Sequence, residues 1–131
     1  MKKENEERLL KRYPELYRQR HLPMTETCMC WGFDVGDGWY KILAKLSKKL
    51  DAYAKEKAIK LEVTQVKEKF GTLRFYLNQS DDAIDKMVAA AEAASSTTCE
   101  VCGSVYRAKL NNGPWYKVRC EKCRKEEKKK A

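Results

Sequence analysis

LEVTQVKEKFGTLRFYLN, residues 61–78, is the stretch on which the fold turns. Leu61 and Val63 alternate with Glu62 and Thr64, and Leu73, Phe75 and Leu77 alternate with Arg74 and Tyr76. Such alternation turns one side of a strand toward a core and the other toward solvent. The reading is two antiparallel strands joined through Lys67 to Gly71. Val66 falls out of step with Val63, which predicts a bulge or early turn near Gln65. A lone two-stranded hairpin is marginal in water, so its apolar face needs another layer.

The flanking segments supply that layer. Upstream, Trp39, Ile42, Leu43, Leu46, Leu50 and Tyr53 recur at spacings of three and four, which predicts a helix over about residues 38–58. Asp37 is the expected N-cap. Lys41, Lys45, Lys48, Lys49 and Lys55 fall mostly off the apolar stripe and read as a solvated face. Downstream, Asp81, Asp82 and Asp85 mark the first turn of a second helix over 80–95, capped by Ser80 or Asn78. Its apolar face is Ile84, Met87, Val88 and Ala91. Both helices are expected on the hairpin, with Trp39, Leu43, Leu46, Leu73, Phe75, Met87 and Val88 in one core. The fold class is therefore α+β, over residues 1–97. Before the first long helix, Glu4–Arg12 reads as a short helix stopped at Pro14, and PELYRQR as a second, kinked one. Residues 21–38, rich in glycine and aromatics, read as an ordered loop pinned by Trp31, Phe33 and Trp39.

Residues 98–126 read as a separate module. Cys99 and Cys102 form one C-x2-C pair, Cys120 and Cys123 a second, with seventeen residues between them. Two intervening residues let both thiolates face one tetrahedral ion, so the expectation is a zinc-ribbon or zinc-knuckle-like unit holding one structural zinc. Four protein ligands leave no open position for catalysis. Gly103 stands where the chain turning under a metal often needs a positive φ. The segments Val105–Leu110 and Trp115–Val118, joined by the turn signal Asn111-Asn112-Gly113-Pro114, predict a hairpin that brings the pairs together. Residues 127–131 read as a disordered tail. Cys28 and Cys30 read as buried thiols near Trp31. With His21 they offer a weaker, second set of metal ligands.

The chain has 131 residues and a formal net charge of +9, with 43% hydrophobic and 36% charged residues. No apolar run is long enough to span a bilayer, and the basic start leads into charge and Pro14 instead of a signal sequence, so a cytoplasmic protein without membrane partners is expected. Reduced thiols in that compartment favour metal over disulfides. Charge is uneven: residues 41–77 and 99–131 each carry about +6, whereas 21–40 and 78–98 each carry about −3. Basic surfaces attract phosphate backbones. The candidate nucleic-acid contacts are Lys67, Lys69, Arg74 and Tyr76 on the hairpin, and Arg107, Lys109, Lys117, Arg119, Lys122 and Arg124 in the module. The competing reading pairs Arg74 with Glu62 or Glu68 across the hairpin.

YPELY at 13–17, GDGW at 36–39, QVKEKFGTLRFY at 65–76 and the ending with CEVCG and a second C-x2-C occur in one order. In this the chain resembles a family of small, largely uncharacterised bacteriophage and prophage proteins, with KEKFGTLRFY the most specific segment. The resemblance implies a phage or prophage origin, the cytoplasm of a bacterial host, and a zinc-bearing end, with no assigned reaction. Members often have a cysteine before GDGW; here that position is Val35.

An enzyme is not expected. Asp34 and Asp37, or Glu62 and Glu68, are the nearest carboxylate pairs for a metal-dependent nuclease, but each has a simpler role as cap or surface partner. One histidine leaves no room for a Ser-His-Asp set, and no phosphate-binding glycine loop is present. Two binding functions remain. One is a phage or prophage accessory protein that binds DNA or RNA. The alternative is an adaptor or inhibitor acting on a host protein, a defence protein included, with zinc purely structural and Trp31, Trp115 or Tyr116 as anchors. No repeat or coiled-coil period is visible, and self-association is left open.

Overall fold

The computed structural model describes residues 1–111 and 116–130. Asn112, Gly113, Pro114 and Trp115, including most of the expected turn signal and one expected anchor, lie outside the described residues. The chain begins with α1 (Lys3–Arg12), passes through a short 3-10 turn at Arg18–His21, and reaches the strand β1 (Phe33–Asp34). Next come α2 (Tyr40–Lys57), the hairpin strands β2 (Val63–Lys69) and β3 (Thr72–Leu77), and α3 (Asp82–Ser95). The C-terminal module contributes β4 (Lys109–Leu110), β5 (Val118–Arg119) and α4 (Glu121–Lys130).

The α+β architecture matches the hydrophobic pattern, and the hairpin is tighter than the sequence indicates. Pairing continues from Val66↔Phe75 to Lys69↔Thr72, so only Phe70 and Gly71 connect the strands. Both have positive φ, 53° and 86°, the requirement of a type I′ turn whose twist suits a hairpin. The register shifts between Val63 and Gln65, where Val66 is out of phase. A third strand was not legible: Phe33 and Asp34 of β1 pair in parallel with Val66 and Lys67. Two residues are too few to show a period.

One apolar cluster joins α1, α2, the sheet and α3. Trp39, Leu43, Leu46, Leu73 and Phe75 are buried as expected, while Met87 and Val88 are only partly buried at its edge. α3 packs on both β3 and α2. The N-terminal segment contributes more than its sequence suggests: Leu9, Tyr13, Leu16, Tyr17 and Met29 are all buried. Tyr17 inserts its ring against Phe33 and shares a hydrogen bond with the buried Ser47 hydroxyl, which itself donates to the Leu43 carbonyl at 2.7 Å. Burial raises the Tyr17 pKa well above its ordinary value.

Several local assignments are corrected. Asp37 does not cap α2, which is preceded by a 3-10 turn at Asp37–Trp39; its Oδ1 instead accepts from the Lys2 backbone N–H at 2.6 Å and from Asn5 at 3.2 Å. α3 is capped by Asp81, which accepts from the Ile84 N–H at 2.8 Å. Glu62 is bound by Arg18 and Gln19, not by Arg74. Trp31 is 71% exposed and pins nothing, Cys28 is exposed and Cys30 half-buried. α4 runs across residue 127, where composition suggests a tail, because the turn at Cys120–Cys123 starts a helix that continues.

Candidate functional site

Thr98 follows the end of α3 and leads directly into the first cysteine pair. The chain folds back on itself there: Gly103 N–H donates to the Cys99 carbonyl and Cys99 N–H to the Ser104 carbonyl, both at 2.9 Å. Gly103 has φ 81°, as the metal-knuckle reading requires. The second pair is set by the end of β5 and the first turn of α4. Lys109↔Arg119 and Leu110↔Val118 pair antiparallel, and the Cys123 N–H points at the Cys120 sulfur at 3.5 Å.

These two turns bring the four Sγ atoms within 4.8 Å of one another. Tetrahedral bonds of about 2.3 Å to zinc would put the sulfurs about 3.8 Å apart, so the cluster is dimensioned to hold a metal ion. Cys99, Cys120 and Cys123 are buried and Cys102 is exposed. Burial opposes the Cys99 thiolate, but backbone N–H groups of Cys102, Cys120 and Val101 more than offset this and bring its pKa to about 7. Cys123 is pushed far up by burial and by the neighbouring thiols. Cys102 and Cys123 hold their protons more tightly than Cys99, an opposition that a divalent cation would relieve by replacing the protons. Among the described residues no other group of His, Cys, Asp or Glu side chains is placed to hold an ion, so His21, Cys28 and Cys30 do not form a second site.

No protein-family model matches this chain, and no curated protein or solved structure matches it either. The remaining geometry therefore has to be read on its own terms. The GDGW segment is the ledge on which the cysteine module rests. Gly36 N–H donates to the Glu100 carboxylate at 2.9 Å, Gly38 N–H to the Glu100 carbonyl at 2.7 Å, and the Trp39 indole to the Thr98 carbonyl at 2.9 Å. A Cβ on Gly38 would overlap the Cys99 carbonyl, and one on Gly36 the Glu100 carbonyl. Glu100, between the first two thiols, also faces Arg119 at 3.6 Å. Nothing in the sequence distinguished that glutamate from any other surface acid.

The structure divides the ten expected nucleic-acid contacts into three groups. Lys67, Lys69, Arg74 and Tyr76 lie on the β2–β3 hairpin, with Lys67 opposite Arg74 and its ammonium 5.9 Å from the Tyr76 ring centre. Lys109 and Lys117 belong to the segments on which the hairpin tip rests: Phe70 and Tyr116 meet edge to face at 6.2 Å, and Gly71 faces Leu110 and the backbone of Tyr116 and Lys117. Among the described residues, Lys67, Lys69, Arg74, Lys109 and Lys117 form no ion pair. Arg107 and Lys122 lie elsewhere in the module, Arg107 paired with Glu121 at 3.2 Å and Lys122 lining a cleft with Tyr106 and Glu121. Arg119 and Arg124 serve the fold. Arg119 is nearly buried between Glu100 and Glu127, and Arg124 donates to the Arg119 carbonyl at 2.6 Å.

Three of the four carboxylates expected as nuclease candidates are tied elsewhere or stand exposed. Asp37 is tied to the N-terminal segment and Glu62 to Arg18, while Asp34 sits exposed in β1. No helix among the described residues is long and apolar enough to cross a membrane.

Proposed function

We propose that this chain is a non-enzymatic binding protein in which one structural zinc ion at Cys99, Cys102, Cys120 and Cys123 fixes a basic surface for nucleic acid. The observation that carries the reading is the junction of the two hairpins. Lys67, Lys69 and Arg74 are some forty residues in sequence from Lys109 and Lys117, yet the contact of Phe70 and Gly71 with Tyr116 and Leu110 sets their two segments side by side, which supports one shared cationic, aromatic surface. Cations interleaved with exposed rings hold phosphates and stack bases. Zinc acts through its charge on four sulfurs and by closing the module; no reaction is routed through it. The resemblance to bacteriophage and prophage proteins supports an accessory role in a bacterial host's cytoplasm.

Titration of fluorescent 20-nucleotide single strands and 20-base-pair duplexes at several salt concentrations tests this. Five cations on one surface should give a log–log salt slope no steeper than about −3.5 for a single strand, at about 0.7 per phosphate. The double variant Lys67→Glu, Lys117→Glu should weaken binding at least about tenfold by reversing two of those charges. Absence of binding at low salt, or binding indifferent to charge reversal, would refute the reading.

A second reading, binding to a host protein, draws on the exposed Val101, Val105 and Tyr106 beside the metal knuckle, 51%, 72% and 65% accessible. Affinity capture from bacterial cells separates the two. A stoichiometric protein partner that survives nuclease treatment would favour the second.

A further inference from the structure

The ring of Phe70 is in an unusual place. It occupies the first central position of the β2–β3 turn with φ 53°, a left-handed conformation that bulky side chains rarely adopt and that Asn, Asp or Gly take at little cost. Burial does not compensate, since the residue is 63% exposed. Its recorded ring contact is the edge-to-face meeting with Tyr116, itself 49% exposed. The tip nonetheless rests closely on the cysteine module: a Cβ on Gly71 would press on the Leu110 side chain and stand 3.1–3.2 Å from the backbone of Tyr116 and Lys117. A cation stands beside it, the Lys69 ammonium, 5.6 Å from the Phe70 ring centre. An aromatic that is strained, exposed and preorganised beside a positive charge is explained by a ligand it meets.

We infer that Phe70, backed by Tyr116, is a stacking platform for an unpaired base, so that the ligand of this surface is single-stranded nucleic acid. This rests on the nucleic-acid reading above and specifies it. A single strand offers base faces at every nucleotide, while a duplex keeps its base faces stacked inside the helix and presents phosphates and groove edges. The cations alone would serve either form; the ring favours only the first. Stacking on an aromatic is tolerant of base identity, so little sequence preference is expected.

The test uses the full-length, zinc-loaded protein with Phe70→Asn and Phe70→Tyr, titrated against oligo(dT), oligo(rU) and a blunt duplex of equal length. Asn suits the left-handed turn, so Phe70→Asn should melt no lower than the parent chain, which removes misfolding as an explanation. Its affinity for single strands should fall about 5- to 150-fold, the range of one lost stacking contact, with the duplex changed less than about twofold. The salt slope should not change, because no charge is removed, and Phe70→Tyr should restore single-strand binding. Unaltered single-strand affinity in Phe70→Asn, or equal loss for single strand and duplex, would overturn this inference and leave the cationic surface standing. Failure of the parent chain to bind any of the three would overturn both. Loss in Phe70→Asn of a nuclease-resistant protein partner would assign the ring to a protein interface instead.

Discussion

In the body of the molecule, buried side chains from Leu9 to Ala91 form one apolar cluster that spans three helices and a sheet. Around the cysteine pairs of the C-terminal module, the buried cluster is Cys99, Cys120 and Cys123 with Ala108 against it. The body can be stabilised by apolar burial, at roughly 25 cal/mol per Å². The module has two-residue strands and, apart from the buried Val118, mainly sulfur at its centre, so an ion held by those sulfurs would supply most of its cohesion. What connects the two is a polar seam, in which GDGW presents backbone N–H groups and an indole to Thr98 and Glu100. One chain therefore contains two kinds of stability that different perturbations should separate.

The largest effect is expected from the sulfurs. Purified protein should carry about one zinc per chain, as four thiolates complete one tetrahedral site. Cys120→Ser should abolish it and unfold the module while the body keeps its helices, as read by elemental analysis and circular dichroism. Structural zinc sites contribute about 10–16 kcal/mol of binding free energy, far beyond what the module's apolar contacts supply. Leu46→Ala reverses the pattern. Leu46 is buried in α2, and its truncation should cost the body about 2–5 kcal/mol in denaturant unfolding without loss of metal.

Gly38→Ala addresses the seam. The added methyl would press on the Cys99 carbonyl, and accommodating it should cost about 1–3 kcal/mol. Zinc should stay bound, and exchange of the Trp39 indole proton, held by Thr98, should accelerate in nuclear magnetic resonance. The smallest effect concerns Glu62. The Arg18 guanidinium holds its carboxyl below the usual value, with burial opposing and Gln19 assisting. A carboxyl depressed in the folded state adds stability above its unfolded pKa of about 4.3, and that contribution disappears as pH falls through the folded value. Glu62→Gln should therefore lower the melting temperature at pH 7 and leave it unchanged near pH 2.

The comparison also explains what the sequence revealed. Periodicity reports burial against a continuous core, so α2, α3 and the β2–β3 hairpin were readable from Leu43, Leu46, Leu73, Phe75 and Ile84. The cluster of four cysteines was readable for a different reason, since ligand spacing is a local constraint on four residues. The seam was hidden because most of its groups are backbone: GDGW shows its glycines but not that Glu100, sixty-four residues after Gly36, lies against them. β1 was too short to have a period. Tyr17 and Ser47 look polar on paper and are buried together because each satisfies the other. Lysines and arginines carry no mark in sequence that separates a free cation such as Lys117 from an internal one such as Arg119.

The most direct test of two separable stabilities is amide hydrogen exchange on the zinc-loaded protein before and after a chelator strips the ion. The amides of Cys99, Gly103 and Asn111, bonded to Ser104, Cys99 and Lys117, should lose their protection. Those of β2, β3 and the middle of α2 should retain theirs. Protection in the module that persists after metal removal is verified, or loss that spreads evenly through body and module, would contradict the account.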